Sequence, residues 1–157
     1  MLQRKQTIYL FFAGLVTLIL LFIPFGRVCT DWACYTYTAF AVRDITPDKT
    51  FILSTTGNAI LLMATSALSF ITLFLYKNRK TQIKLISYNM LVILITICTI
   101  MYIYPNFIFT NNSNLSGAII DYNYTILISF ISAAGLFLAK KAIAKDEALV
   151  RSADRLR

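Results

Sequence analysis

Histidine is absent from this 157-residue sequence, and Lys, Arg, Asp and Glu together account for only 14% of it. Soluble domains contain about 25% charged residues, so a water-soluble fold is not expected. Proton pumps and many transporters use ionisable groups within the membrane, and metalloenzymes need clusters of His, Cys and carboxylates. The composition therefore disfavours an ion-translocating protein and a metal-dependent enzyme.

Hydrophobic residues make up 58% of the chain and are concentrated in four runs. The runs cover residues 7–25, 57–76, 85–104 and 117–139, and they contain no Lys, Arg or Glu. A helix rises ~1.5 Å per residue, so about 20 residues cross the ~30 Å hydrocarbon core of a bilayer. The sequence thus predicts an all-α membrane protein, a single domain in which four transmembrane helices form a bundle.

Basic residues are distributed unevenly between the two sides that these helices define. One side receives 12 of the 15 Lys and Arg residues. Because positively charged segments stay in the cytoplasm, both termini and the loop 77–84 are predicted to be cytoplasmic, with residues 140–157 as a cytoplasmic tail. Loops 26–56 and 105–116 are then outside. The bases expected to fix this topology and to contact lipid headgroups are Lys77, Arg79, Lys80, Lys84, Lys140, Lys141 and Lys145.

Two of the three cysteines, Cys29 and Cys34, lie in the first outer loop. An oxidising outer face permits a disulfide between them, and we predict a structural, non-catalytic one. The alternative is a thiol–disulfide membrane oxidoreductase, but such enzymes relay electrons between two cysteine pairs, and this chain offers one. Cys98 lies within the third run and is interpreted as a small core residue.

The first outer loop also shows a strand pattern. Residues 35–42 alternate with a period of two, and extended character resumes over residues 50–55. Pro47 and Asp48 suit the turn between them, so a short β-hairpin above the membrane is expected.

Three polar residues define a second functional hypothesis. Asn58 and Asn89 lie inside predicted helices, and Asp121 lies near the outer end of the fourth. If they lined one water-filled cavity, they would support a small-molecule transporter or channel formed by oligomerisation. A carboxylate that caps the fourth helix is the simpler interpretation of Asp121. Neither a nucleophile–base pair nor a phosphate-binding glycine motif is recognisable, so no enzymatic activity and no cofactor are predicted.

The tail consists of strong helix formers without Gly or Pro, so the fourth helix is expected to continue past the membrane. Its apolar residues recur at helical spacing, and its arginines suit bidentate contacts to carboxylates. Lysines near the membrane boundary serve topology, but the apolar residues further along would face water unless a partner covered them. The predicted partner-binding residues are Leu149, Val150, Arg151, Ala153, Arg155, Leu156 and Arg157.

Three segments carry a resemblance to a known family: "MLQRKQTIYL", "YKNRKTQIKL" and the tail "AIAKDEALVRSADRLR". Together they resemble the small integral membrane family of Bacteroidota described as domain of unknown function 4293. The resemblance covers essentially the whole chain and implies a four-helix protein of the bacterial inner membrane. It implies no catalytic or ligand residues, and the loop with Cys29 and Cys34 is not part of it.

We therefore expect a non-enzymatic inner-membrane protein, an accessory or scaffold subunit that binds a protein partner through its cytoplasmic C-terminal helix. Its expected partners are the lipid bilayer and either another protein or further copies of itself. Nucleic acid is not expected, because the basic residues cluster at membrane boundaries, where topology alone explains them.

Overall fold

The computed structural model describes residues 5–45, 51–76, 78–113, 115 and 117–155. It is mostly helical, with a small antiparallel sheet at one end. The helices are α1 Lys5–Ile19, α2 Thr56–Phe74, α3 Arg79–Cys98 and α4 Thr125–Arg155, and a π-helix, Thr99–Phe109, continues α3. The strands are β1 Gly26–Cys29, β2 Cys34–Tyr37, β3 Ala41–Asp44, β4 Phe51–Ser54 and β5 Ile119–Tyr122.

Among the described residues, three helices are long and apolar enough to cross a membrane, which indicates a membrane protein. Their apolar spans are Thr56–Phe74, Arg79–Asn106 and Thr125–Leu149. α1 contributes a shorter apolar helix, Thr7–Ile19. Pro105 lies within the π-helix that extends the second span.

Each helix packs against two others, α1 and α3 both contacting α2 and α4. Small residues allow this close approach. The Ser66 hydroxyl of α2 donates to the Gly14 carbonyl oxygen of α1 at 3.1 Å, and the Ser132 hydroxyl of α4 donates to the Ala13 carbonyl oxygen at 3.2 Å. Small side chains and interhelical hydrogen bonds are the usual means by which helices associate in a bilayer.

The helical part is apolar outside and partly polar inside. In α2 the side chains of Ile60, Met63, Ile71 and Phe74 are exposed, whereas its buried face consists mostly of polar residues. The buried residues of α2 are Asn58, Ala59, Leu62, Thr65, Ser66, Ser69 and Thr72. Such a large exposed apolar surface is unfavourable in water and suits lipid.

The sheet has the strand order β4-β3-β2-β1-β5, and all its neighbours are antiparallel. Its core face contributes Val28, Tyr37 and Val42, which join a buried cluster with residues from the adjoining ends of the helices. The sheet therefore covers one end of the helical part. β5 comes from the segment before α4 and pairs with β1, so it links that segment to the one after α1.

The sheet is larger than the single hairpin expected from the sequence. β3 and β4 do pair, but their connecting turn with Pro47 and Asp48 lies outside the described residues. The alternating run over residues 35–42 is divided between β2 and β3, because the backbone N–H of Thr38 donates to the Ala41 carbonyl oxygen and closes a tight turn. The expected hairpin is thus part of a five-stranded sheet added to a mostly helical chain.

Helix boundaries also differ from the expected ones. α1 ends at Ile19 rather than at residue 25, and α4 begins at Thr125 rather than at 117. Residues 20–25 lead from α1 into β1, and residues 117–124 contain β5. At the other end α3 already begins at Arg79, so Lys80 and Lys84 lie on a helix and not in a loop.

Candidate functional site

A buried polar seam runs between α2 and α3. Six of its seven members recur every seven residues, and the seventh, Ser69, follows Thr65 by four residues. Both spacings keep side chains on one face of a helix. All have little or no exposed surface. We define the polar seam by Asn58, Thr65, Ser69 and Thr72 of α2 and Gln82, Asn89 and Thr96 of α3.

Two side-chain amides of α3 bond across this seam to α2. The Asn89 amide nitrogen donates to the Ser69 hydroxyl at 2.8 Å, and the Gln82 amide nitrogen donates to the Thr72 carbonyl oxygen at 3.0 Å. The amide oxygens of Gln82 and Asn89 have no hydrogen-bond partner among the described residues. None of the seam residues ionises near neutral pH, so the seam can join helices and accept hydrogen bonds but cannot transfer protons by itself.

The structure does not bring Asn58, Asn89 and Asp121 to one site. Asp121 lies on β5 directly opposite Arg27 of β1, and its side chain is exposed. Asn58 and Asn89 are buried at different levels of the seam. The interpretation of Asp121 as a cap of the fourth helix is also wrong, because α4 begins four residues later.

Asn58 belongs instead to the junction between seam and sheet. Its amide nitrogen donates to the Tyr37 hydroxyl at 2.8 Å. The Tyr37 ring packs edge-on against Phe25 and Phe109, with centroid separations of 5.3 Å in both pairs. Burial raises the pKa of the Tyr37 hydroxyl far above its ordinary value, and this effect exceeds the opposing one of the hydrogen bond from Asn58. The junction therefore holds a neutral tyrosine.

Two of the three cysteines are bonded to each other in the sheet, and the third lies on α3. A disulfide joins Cys29 and Cys34, which are directly opposite each other on β1 and β2. The Thr30 and Ala33 residues between them close the hairpin through their backbone and the Thr30 hydroxyl. Cys98 is a free thiol at the end of α3, and its side chain is exposed, so the interpretation of a core residue is wrong.

The tail of α4 begins as part of the helical packing. Ile143 is fully buried in a cluster that includes Leu10 of α1 and Ile86 of α3. The Arg79 guanidinium, at the start of α3, donates to the Asp146 carbonyl oxygen at 3.2 Å. Beyond this contact the Leu149 side chain is 59% exposed.

The other predicted tail residues are only partly described. α4 extends to Arg155, but the side chains of Val150, Arg151, Ala153 and Arg155 lie outside the described part. Leu156 and Arg157, like Lys77 of the short connection, lie outside it altogether. Among the remaining bases, Lys80, Lys84, Lys141 and Lys145 are exposed, and Arg79 and Lys140 are half-buried.

A comparison with family models gives one match. A model described as a domain of unknown function, DUF4293, matches residues 2–156. The chain belongs to the DUF4293 family. No curated protein matches it significantly.

The interhelical contacts of two residues of this DUF4293 chain are not predicted from the sequence alone. The sequence places Gln82 in a cytoplasmic loop, although Gln82, Asn89 and Thr96 follow one another at seven-residue intervals and so lie on one helix face. Arg79 was assigned to topology only, and its contact with the α4 backbone joins residues far apart in sequence. The spacing of Gln82 was a usable signal, whereas the partner of Arg79 was not predictable.

Proposed function

We propose that this DUF4293 protein is a non-enzymatic, multi-pass protein of the bacterial inner membrane, with both termini in the cytoplasm. We further propose that it serves as an accessory or scaffold subunit and binds a protein partner through the C-terminal part of α4. The rival transporter hypothesis needs a shared polar path, and it is disfavoured because Asp121 is exposed on β5 whereas Asn58 is buried against Tyr37.

Charge supports this orientation. The contact between Arg79 and Asp146 brings the start of α3 and the end of the apolar span of α4 to the same end of the molecule. The bases of both segments therefore collect there, opposite the sheet. Positive charge of this kind marks the cytoplasmic side.

The exposed Leu149 side chain carries the partner hypothesis. α4 is 31 residues long, about 46 Å, which exceeds the ~30 Å hydrocarbon core by several turns. Burial of Ile143 and the Arg79 contact hold the first part of this extension. Leu149 lies on the next turn, where the described part of the chain leaves most of its side chain exposed. An amphipathic helix of this kind suits a partner with an apolar groove and acidic rim.

Orientation is tested by labelling with a membrane-impermeant maleimide. In a background without Cys29, Cys34 and Cys98, a cysteine replacing Asn112 should react from outside the cytoplasmic membrane, and one replacing Asn78 should not. The reverse result would exclude the orientation.

Partner binding is tested by placing a photo-crosslinking amino acid at position 149 in cells. We expect a discrete protein adduct there, and none from position 127 on the apolar span of α4. Deleting residues 148–157 keeps the Arg79 contact and Ile143, so the truncated protein should accumulate normally and lose that partner. If position 149 gives no adduct, or if the truncated protein retains the partner, the scaffold hypothesis is wrong.

A further inference from the structure

The π-helix that continues α3 contains a proline. Pro105 has no backbone N–H, so it cannot donate the hydrogen bond that other residues inside a helix donate. In a π-helix this bond would go to the carbonyl oxygen five residues earlier, which belongs to Ile100. The proline therefore leaves the Ile100 carbonyl oxygen without its usual donor. Ile100 is buried, and a buried carbonyl oxygen that lacks a donor is costly.

The hydroxyl group of Tyr122, on β5, lies at the place of the missing N–H. It donates to the Ile100 carbonyl oxygen at 3.4 Å and to the neighbouring Met101 carbonyl oxygen at 3.3 Å. Tyr122 is itself held in the sheet, because it pairs with Gly26 of β1. A side chain of the sheet thus supplies the donor that the helix lacks.

The π register of this helix determines where Phe109 lies. Ile100, Tyr104 and Phe109 are all buried in the cluster that includes the core face of the sheet, and they follow one another at spacings of four and five residues. Residues five apart in an α-helix point about 140° away from each other, whereas π-type hydrogen bonding places them on one face. The Phe109 ring thereby packs edge-on against Tyr37 at a centroid distance of 5.3 Å. Loss of the π register would take Phe109 out of this contact.

We propose that the Tyr122 hydroxyl is a latch: it replaces the N–H that Pro105 lacks and holds Thr99–Phe109 in the π register, and its release opens this segment as a hinge. The Thr99 hydroxyl donates to the Thr96 carbonyl oxygen at 2.7 Å, so the latched segment continues directly from the polar seam. The latch therefore couples β5 of the sheet to the helix that carries half of the seam. It depends on neither the partner nor the orientation proposed above.

The latch is tested by ¹⁹F NMR of the full chain in lipid nanodiscs, with 4-fluorophenylalanine incorporated at position 109. The fluorine resonance reports whether this ring lies against Tyr37. Tyr122→Phe removes the hydroxyl and keeps the ring, and Pro105→Ala restores the backbone N–H at position 105. The two substitutions are measured alone and together. Tyr124→Phe is the matched control, because the Tyr124 side chain is 87% exposed.

We expect Tyr122→Phe to produce a second resonance and to lower the ratio of packed to released Phe109 about tenfold, as the loss of one buried hydrogen bond predicts. In the Pro105→Ala background the same substitution should have no effect, because the restored N–H serves the Ile100 carbonyl oxygen. Tyr124→Phe should leave the spectrum unchanged.

An unchanged spectrum in Tyr122→Phe would overturn the latch. An equal change in both backgrounds would also overturn it, since Tyr122 would then act through packing alone. If the Tyr122→Phe protein does not accumulate, its recovery by Pro105→Ala supports the latch, and failure of both proteins overturns it.

Discussion

Arg79 and Asp146, 67 residues apart, are joined by a hydrogen bond of 3.2 Å from the guanidinium to the backbone carbonyl oxygen. The bond connects the first residue of α3 to α4 beyond Ala139, where the apolar run ends. The tail therefore has two parts: one that packs against the other helices, and an exposed one that begins near Leu149. A side chain that binds a backbone oxygen fixes the helix without needing a particular residue at position 146.

Replacing Arg79 with Ala should loosen the tail without unfolding the protein. The lost charge-assisted bond contributes roughly 1–2 kcal/mol at a half-buried site. Amide hydrogen exchange over residues 146–152 should accelerate accordingly. Lys80→Ala, the neighbouring exposed base, should leave exchange in that segment unchanged. Equal exchange rates in Arg79→Ala and the parent protein would contradict the tether.

The bond between Asn89 and Ser69 should appear as a coupling energy between α2 and α3. A double-mutant cycle with alanine at both positions should give about 0.6 kcal/mol, with ~1.7 kcal/mol as an upper bound for such bonds in bilayers. Ser69 paired with Ser87 is the control cycle, because the Ser87 hydroxyl donates to the Ile83 carbonyl oxygen of its own helix. Unfolding in lipid–detergent mixtures measures each variant. Equal coupling in both cycles would show that Asn89 does not bind Ser69.

Two glycines should respond oppositely to alanine. A Cβ at Gly26 would collide with the Asp121 carbonyl oxygen across the β1–β5 pair. Gly26→Ala should therefore cost about 1–3 kcal/mol and weaken the pairing. A Cβ at Gly135 would lie 3.6 Å from the Ala13 Cβ, an ordinary contact. Gly135→Ala should be neutral or stabilising by up to ~1 kcal/mol, since alanine favours the helix interior.

Thermal unfolding of the two variants checks this contrast. A Gly26→Ala protein as stable as the parent would mean that β1 and β5 do not approach as closely as the structure has them.

The sequence shows clearly which segments are apolar. It does not show where an apolar segment stops being helix and enters a turn or a strand. Leu20 and Ile120 are as apolar as any helix residue, so composition could not show that one follows a helix and the other enters a strand. β5 pairs with a strand more than ninety residues earlier, and no local pattern encodes that partner. For this reason the sequence predicts the helices but not the ends of α1 and α4 that adjoin the sheet.

At the polar seam the sequence does not show where α3 begins. The run of bases predicts a loop that ends at Lys84, although a lysine can lie on the exposed face of a helix whose other face is buried. This assignment excluded Gln82 from the helix and from the seam. Asn58 and Asn89 were identified, but their partners Tyr37 and Ser69 depend on packing between elements and could not be predicted.

Alkaline pH should destabilise the junction between sheet and helices through Tyr37. Burial raises the pKa of its hydroxyl, so the folded protein favours the neutral form. This stabilisation is complete below about pH 10, where an unfolded tyrosine ionises, and is lost as the pH rises above that value. Tyr37→Phe should remove this dependence and lower stability at neutral pH, because the buried Asn58 amide loses its acceptor.

The measurement is the unfolding free energy of the reconstituted protein from pH 8 to pH 11. Tyr124→Phe is the matched control, since the Tyr124 ring is exposed and its replacement leaves the junction intact. The parent and Tyr124→Phe proteins should lose stability in parallel above pH 10, and Tyr37→Phe should lose less. If all three curves fall together, the alkaline transition belongs to other groups and Tyr37 is not the residue that couples the junction to pH.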